Sequence, residues 1–201
     1  MDLISGLISL VILIFSSILH EVAHGFAAER LGDPTARLMG RLTLDPRKHI
    51  DPIMSVLLPL VLILSGSPVI FGAAKPIPVD PFNLKEGRKD MALVSLAGPL
   101  TNFIIAILAS IVFKIVSIDI FAMIVQINLL LAIFNLLPIP PLDGSKVFAL
   151  LLPEKTANAY LGLGSIGMFI LFILLLNPIG GFSLNHLIFS LLSFSEKLLG
   201  L

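Results

Sequence analysis

Six apolar runs divide this chain of 201 residues, and their lengths limit the fold more than any other feature of the sequence. A helix needs about 20 apolar residues to cross the hydrocarbon core of a bilayer. Most of the runs approach or exceed that length, and the six cover residues 3–19, 53–71, 91–116, 120–142, 161–176 and 182–194. The last run is short and reaches span length only if Ser193 to Leu201 are included. The sequence therefore predicts an all-α polytopic membrane protein with about five to six transmembrane helices.

The composition agrees with a membrane protein and argues against other classes. Hydrophobic residues make up 57% of the chain and charged residues only 13%, whereas soluble domains carry roughly 25% charged residues. The formal net charge is +0, which gives no reason to expect nucleic acid as a partner. We expect one membrane-embedded domain over residues 1–201, in contact with the lipid bilayer.

The first apolar run leads into three ionisable residues in "HEVAH", residues 20–24. An ionisable side chain at membrane depth is costly and indicates a functional site. Residues four apart share a helix face, so His20 and His24 can bind one metal ion while Glu21 takes a proton from water beside it. The alternative is a pair of histidines at the membrane interface, which does not explain the carboxylate between them.

A zinc site of this kind needs a third protein ligand and leaves a fourth position for water. The chain has no cysteine, so His, Asp or Glu must supply that ligand. The candidate is Asp143, which ends an apolar run after the prolines of "PIPPLDG". The alternative is an ordinary Asp-Gly turn that leads into a loop. With Asp143 as third ligand, the chain is predicted to bind one Zn²⁺.

The basic residues favour a chain that folds back between the first and third apolar runs. With six simple spans, the 13 Lys and Arg residues divide almost evenly between the two sides, and the positive-inside rule decides nothing. If residues 52–81 enter the membrane and return, by a helix interrupted at Pro59 and an extended segment, all except Lys114 lie on the cytoplasmic side. Either a re-entrant segment or a full span with an extended return gives this result. Both place the two histidines and Asp143 at one membrane face.

Four further polar residues have roles that the sequence leaves open. Asn102 and Asn135 belong to apolar runs, where an amide either stabilises an oxyanion or binds substrate, or joins helices by hydrogen bonds. His49 and Asp51 either form hydrogen bonds that orient the metal ligands or are structural, with Asp51 capping the following segment. For His49 and Asp51 we favour the structural interpretation.

Together these motifs resemble those of the site-2 proteases, a family of intramembrane zinc metalloproteases. That family combines an HExxH helix with a downstream Asn-x-x-Pro-x-Pro-x-Leu-Asp-Gly motif, matched here by residues 20–24 and by "NLLPIPPLDG", residues 135–144. A third similar element is "AGPLTN", residues 97–102. The resemblance covers roughly residues 8–150 and is to the compact prokaryotic branch that lacks PDZ or CBS domains.

The resemblance implies a role for the residues of these motifs. His20, His24 and Asp143 are expected to bind zinc, and Glu21 is expected to be the catalytic acid and base. The residues expected near the substrate are Asn102 and Asn135. The expected location is the inner membrane of a prokaryotic cell, with the active site nearer the cytoplasmic face.

The expected reaction is hydrolysis of a peptide bond in or near a transmembrane helix of a partner membrane protein. The substrate helix must unwind first, and an extended segment such as "RLMGRLTL" (residues 37–44) or "AKPIP" (residues 74–78) would hold its backbone by edge pairing. The alternative function is a membrane zinc-binding or metal-transport protein without hydrolytic activity. Transport, however, has no need of Glu21 between the two histidines. The sequence leaves the oligomeric state open.

Overall fold

The computed structural model describes residues 3–65, 72, 74–178, 180 and 183–201, with the backbone alone described for Ser165. The α-helices in these residues are α1 (Leu3–Leu31), α2 (Thr35–Leu38), α3 (Leu58–Leu64), α4 (Arg88–Val116), α5 (Asp119–Asn135), α6 (Asp143–Ala149), α7 (Glu154–Leu161), α8 (Gly164–Leu176) and α9 (Leu184–Leu199). A π-helical turn, Pro52–Leu57, precedes α3 directly. The described part of the chain contains no strand, which confirms the prediction of an all-α fold there.

Two of the described helices are long and apolar enough to cross a membrane by themselves. These are α1 and α4, of 29 residues each, which corresponds to about 43 Å. Helices α7 and α8 meet at 71° and make a third candidate if they form one broken span. The sequence predicts more spans than this, because it counts apolar residues that are not helical. The run from 120 to 142, for example, is helical only as far as Asn135.

Helix α4 lies at the centre of the fold and packs against α1, α5 and α6. Its contact with α5 is built from small residues, since Ala106 and Ala109 are buried against Val125 and Leu129. Small side chains let helix backbones approach closely in a membrane protein. The central position of α4 brings the first sequence motif, on α1, near the second motif, at the start of α6.

The segment between α2 and α4 folds back on itself, as the basic residues indicate. The Lys75 amide donates to the His49 carbonyl at 2.7 Å, so the chain leaves and returns at the same place. The guanidinium of Arg41 donates to the carbonyls of Lys75 and Pro76, at 3.0 and 3.3 Å. Three neighbouring contacts therefore hold the returning chain in an extended conformation over residues 74–80.

The helical part of this excursion is short. It runs from Pro52 to Leu64, about 20 Å, whereas the hydrocarbon core is about 30 Å thick. Pro59 lies in the first turn of α3, where π-helical geometry gives way to α-helical geometry. Proline has no amide hydrogen to donate to the preceding turn, which explains the change at this point. The remaining residues of the excursion, 66–71 and 73, lie outside the described residues.

The extended strand expected in residues 37–44 does not form. These residues begin inside α2 and continue as turns and irregular backbone. A strand forms only when a neighbouring strand completes its backbone hydrogen bonds. Here it is the side chain of Arg41, and not a strand ladder, that joins this loop to the extended segment.

Asp33, just after α1, joins the loop that follows α1 to the segment that precedes α4. It is buried and accepts hydrogen bonds from Thr35, from the Asp80 amide at 2.8 Å and from the Asn83 side chain at 2.9 Å. Burial acts against the charged form, but these hydrogen bonds outweigh it and hold the pKa of Asp33 below its usual value. The ionised carboxylate therefore anchors the turn before α4 to the end of α1.

Candidate metal centre

His20 and His24 lie one helical turn apart on the buried face of α1. Their ring centroids are 4.6 Å apart and the ring planes are nearly perpendicular, at 87°. Only 5% of His20 and 7% of His24 is exposed. The spacing of four residues thus places two imidazoles side by side inside the protein, as the sequence predicts.

Asp143, the first residue of α6, reaches both imidazoles. Its Oδ2 atom is 3.1 Å from Nε2 of His20 and 3.2 Å from Nε2 of His24. Two ligands of a tetrahedral zinc ion, with bonds of about 2.0–2.1 Å, lie about 3.3 Å apart. His20 and Asp143, 123 positions apart in the sequence, therefore lie together in the fold, and both nitrogen–oxygen distances at Asp143 are close to the spacing of zinc ligands.

The other ring nitrogens show which atoms are available to a metal. Nδ1 of His24 is 2.7 Å from the Val94 carbonyl, and Nδ1 of His20 is 2.6 Å from Oδ1 of Asn102. Each of these oxygens accepts a hydrogen bond, so in the neutral rings Nδ1 carries the proton and Nε2 has the lone pair. Two imidazole lone pairs and a carboxylate oxygen then face one another, and this donor set fits zinc.

Gly98 on α4 keeps space open beside these nitrogens. A Cβ atom at this position would lie 2.5 Å from Nε2 of His20 and 2.5 Å from Nε2 of His24. Contacts that short do not occur between real side chains, so α4 can approach the histidines only with glycine at position 98. The groups that lie closest to Gly98 are therefore the two imidazoles.

Several contacts hold Asp143 in place. Lys146, one turn further along α6, places Nζ 3.3 Å from Oδ1 of Asp143 and donates to the Pro141 carbonyl at 3.1 Å. A Cβ atom at Gly144 would collide with the Leu136 carbonyl oxygen, so the turn into α6 requires glycine. We missed Lys146 in the sequence, although its position three residues after Asp143 is a signal that the two side chains share a helix face.

Glu21 lies between the two histidines in the sequence, and its carboxylate contacts the extended segment 74–80. Its Oε2 atom accepts a hydrogen bond from the Ile77 amide at 2.7 Å, so the extended segment 74–80 lies directly against the carboxylate. Adjacent side chains point about 100° apart around a helix. Gly25, one turn later on the same face, lets the Ile77 side chain pack closely on α1.

A second set of three ligands is present in the geometry. Donor atoms of His20, Glu21 and His24 lie within 4.8 Å of one another. We favour Asp143 over Glu21 as third ligand, because Asp143 is closer to both nitrogens and Glu21 is already bonded to the Ile77 amide. In this arrangement Glu21 stands beside the metal ligands, where a proton acceptor is needed.

Of the other residues predicted from the sequence, Asn102 is the one that the described structure shows hydrogen-bonded to a metal-ligand candidate. The side chain of Asn135 donates to a carbonyl of its own helix, α5. His49 bonds the Thr43 carbonyl, and Asp51 caps the π-helical turn by accepting two backbone amides. Within the described residues, the structure brings Asn135, His49 and Asp51 into no hydrogen bond with the metal-ligand candidates.

A zinc-type donor set beside a carboxylate, in a chain with helices of membrane length, is the arrangement of a membrane metalloprotease. The model of Peptidase family M50 matches residues 8–118 and 112–176. The chain belongs to this family, the site-2 proteases, and is an integral membrane protein. The resemblance seen in the sequence is therefore confirmed.

Curated relatives agree with the family. "Putative zinc metalloprotease YwhC" of Bacillus subtilis is 35% identical over 186 residues, which cover 86% of this chain and 81% of the relative. Rip2 of Mycobacterium tuberculosis H37Rv, named in the same way, is 34% identical over 80% of this chain and 63% of its own length. MJ0611 of Methanocaldococcus jannaschii, also so named, is 37% identical over 68% of this chain and 71% of its own length. No solved structure gives a significant match.

Proposed function

We propose that this protein is an intramembrane zinc metalloprotease that hydrolyses peptide bonds in or near transmembrane helices of partner membrane proteins. The observation that carries the proposal is the convergence of His20, His24 and Asp143 beside Glu21. One zinc ion per chain is bound by the first three of these residues. Membership of the M50 family supports the class of reaction.

The side chains divide the chemistry between binding and proton transfer. Zinc, when bound, supplies a Lewis acid that polarises a carbonyl and lowers the pKa of water towards about 7. Glu21 takes the proton of the attacking water and returns it to the leaving amine as the peptide bond breaks. The Ile77 amide orients the Glu21 carboxylate for both steps.

The extended segment 74–80 is the part of the chain best suited to hold an unwound substrate. A peptide bond inside a helix has its backbone groups paired internally, so the substrate must open before hydrolysis. An opened backbone can add to an extended segment by main-chain hydrogen bonds. Arg41 and the His49 carbonyl fix segment 74–80 beside Glu21, so a substrate paired with this segment would lie next to the proton acceptor.

We place the site nearer the cytoplasmic face of a prokaryotic inner membrane, in a multi-pass protein. The contact between His49 and Lys75 supports a return to the same side, and with that topology the positive-inside rule puts the basic loops in the cytoplasm. The shorter apolar helices α5 and Pro52–Leu64 complete the membrane domain alongside α1 and α4. Of these, Pro52–Leu64 is the re-entrant one.

This topology predicts that Arg47 and Lys89 lie on one side of the membrane. Reporters of cytoplasmic or external location, fused or inserted after each residue, should give the same signal, and the cytoplasmic one. A reporter at Ser117, at the far end of α4, is the control and should give the opposite signal. Opposite signals at Arg47 and Lys89 would show that the chain between them crosses the membrane and does not fold back.

Removal of the metal should abolish proteolysis reversibly. Purified protein in detergent would be incubated with a single-span substrate, and cleavage measured after treatment with 1,10-phenanthroline. We expect cleavage to be lost and to return when zinc is added. The three ligand side chains bind the ion, and only the ion binds and activates the attacking water. The matched control is 1,7-phenanthroline, an isomer that does not chelate.

Two results would oppose the proposal. Cleavage that continues in demonstrably zinc-free protein would exclude a zinc-dependent mechanism. Zinc flux across vesicles containing the protein, in the absence of cleavage of any single-span substrate tested, would favour the transport alternative.

A further inference from the structure

We propose that Asn128 on α5 is a positioning residue for the zinc site. Acting through Asn102, it fixes His20 in the tautomer whose Nε2 atom can bind the metal. The inference deepens the proposed function and rests on it, since it concerns the same zinc ligands.

A chain of hydrogen bonds runs from the backbone of α5 to His20. The Nδ2 atom of Asn128 donates to the Ile124 carbonyl and to Oγ of Ser16, each at 2.9 Å. Oδ1 of Asn128 accepts from Nδ2 of Asn102 at 2.8 Å. Oδ1 of Asn102 is 2.6 Å from Nδ1 of His20. The chain thus links α5 and α1 through α4 and ends on a metal-ligand candidate.

The direction of this chain is set at its start. A backbone carbonyl can only accept a hydrogen bond, so the group of Asn128 that faces Ile124 must be the amino group. The oxygen of Asn128 then faces Asn102, which must present its own amino group. The oxygen of Asn102 is left to face Nδ1 of His20, and that nitrogen must carry the proton.

The reverse orientation would remove a zinc ligand. If Asn102 turned its amino group towards His20, Nδ1 would have to accept, and the proton of the neutral ring would sit on Nε2. A protonated Nε2 has no lone pair for a metal. Asn102 and Asn128 are both 0% exposed, so water is not available to satisfy either amide in place of its partner.

The second histidine shows why His20 needs this arrangement. Nδ1 of His24 bonds the Val94 carbonyl directly, so a backbone group alone fixes its tautomer. His20 has the same requirement but faces a side-chain amide, which has two orientations of nearly the same shape. Asn128 transmits the polarity of a backbone carbonyl to that amide.

The test is the zinc affinity of Asn128→Leu. Leucine has a similar size but no polar atoms, so the orientation of Asn102 is no longer fixed. We expect zinc to bind about 10–100-fold more weakly, as is typical when a group that orients a metal ligand by hydrogen bonding is lost. Affinity would be measured by competition with a chelator in detergent, and thermal unfolding of the zinc-free protein would be measured in parallel.

Two further variants separate orientation from packing. Ser16→Ala is the matched control, because the Ile124 carbonyl still orients Asn128, and it should bind zinc like wild type. Asn128→Leu combined with Asn102→Asp should recover most of the affinity, because both oxygens of a carboxylate accept and its orientation no longer matters. Such recovery, without recovery of the zinc-free unfolding temperature, supports orientation over packing.

Other outcomes overturn the inference. Wild-type affinity in Asn128→Leu would exclude the positioning role and leave the proposed zinc site standing. A double variant as weak as Asn128→Leu alone would show that packing causes the loss. If Asn128→Leu does not fold, histidine chemical shifts of the zinc-free wild type decide, measured at a pH at which the His20 ring carries a single proton: the Nδ1–H tautomer supports the inference and the Nε2–H tautomer overturns it. Failure of wild type to bind zinc would contradict the proposed function itself.

Discussion

Replacement of Glu21 by glutamine should stop proteolysis without releasing zinc. Glutamine keeps the shape of the side chain and an oxygen that can accept the Ile77 amide, but it cannot take a proton from water. General acid–base catalysis contributes about 10²–10⁴-fold to a rate, and we expect a loss in that range. Zinc content would be measured on the same protein sample as the cleavage rate of a single-span substrate.

A matched control for Glu21→Gln is available on the same helix. Glu29 lies two turns later and pairs with Arg37 at the surface, and such pairs contribute only about 0–1 kcal/mol to stability. Glu29→Gln should therefore cleave at the wild-type rate and retain zinc. Cleavage by Glu21→Gln at the wild-type rate would exclude Glu21 as the proton acceptor, and loss of zinc from it would indicate that Glu21 is a ligand.

The candidate zinc ligands can be predicted from the sequence because chemistry and helix geometry both restrict them. The spacing of His20 and His24 fixes a shared helix face, and the absence of cysteine reduces the candidates for a third ligand. The position of Asp143 after the prolines then makes it the candidate. The structure places all three side chains together, at 3.1 and 3.2 Å between nitrogen and oxygen.

The groups that surround these ligands could not be found in the same way. The Val94 carbonyl and the Ile77 amide are backbone groups, which every residue of their kind carries and no residue letter distinguishes. Asn128 reads as one of several polar residues in an apolar run, and its role depends on the pairing of α5 with α4 and α1. Tertiary packing decides which of many polar groups reach a site.

The fold shows a similar division between what periodicity determines and what it does not. Apolar runs predict where helices lie, and α4 follows its run closely, whereas α1 starts with its run and continues to Leu31. Length in apolar residues does not give length in helix, since the prolines after Asn135 end helical structure and Pro59 marks a change from π-helical to α-helical geometry. Residues 37–44 form no strand, because the described chain offers no strand to pair with them.

Replacement of Asp143 by alanine should have the largest effect on zinc binding. Asp143 supplies one of three donor atoms, and its loss leaves two imidazoles alone on α1. We expect the zinc affinity to fall by more than the 10–100-fold that is typical when a group behind a ligand is lost. The cleavage rate should fall together with the zinc affinity. Zinc affinity would be measured by titration, and the cleavage rate at a zinc concentration that saturates the wild type.

Lys146→Met provides a graded comparison for Asp143→Ala. The ammonium group is 3.3 Å from the other carboxylate oxygen of Asp143 and holds that carboxylate in place without contacting the metal. Its loss should weaken zinc binding by about tenfold at most, the lower end of the range for such neighbours. Similar losses in the two variants would mean that Asp143 acts only as a neighbour of the true ligand.

Zinc binding by Asp143→Ala and Glu21→Gln together decides between the two ligand sets in the structure. If His20, His24 and Asp143 are the ligands, Asp143→Ala loses zinc and Glu21→Gln keeps it. If His20, Glu21 and His24 are the ligands, the result is reversed, and the proton acceptor must be sought elsewhere. We expect the first result, because Asp143 is within 3.2 Å of both nitrogens, while the Glu21 carboxylate already accepts a hydrogen bond from the Ile77 amide.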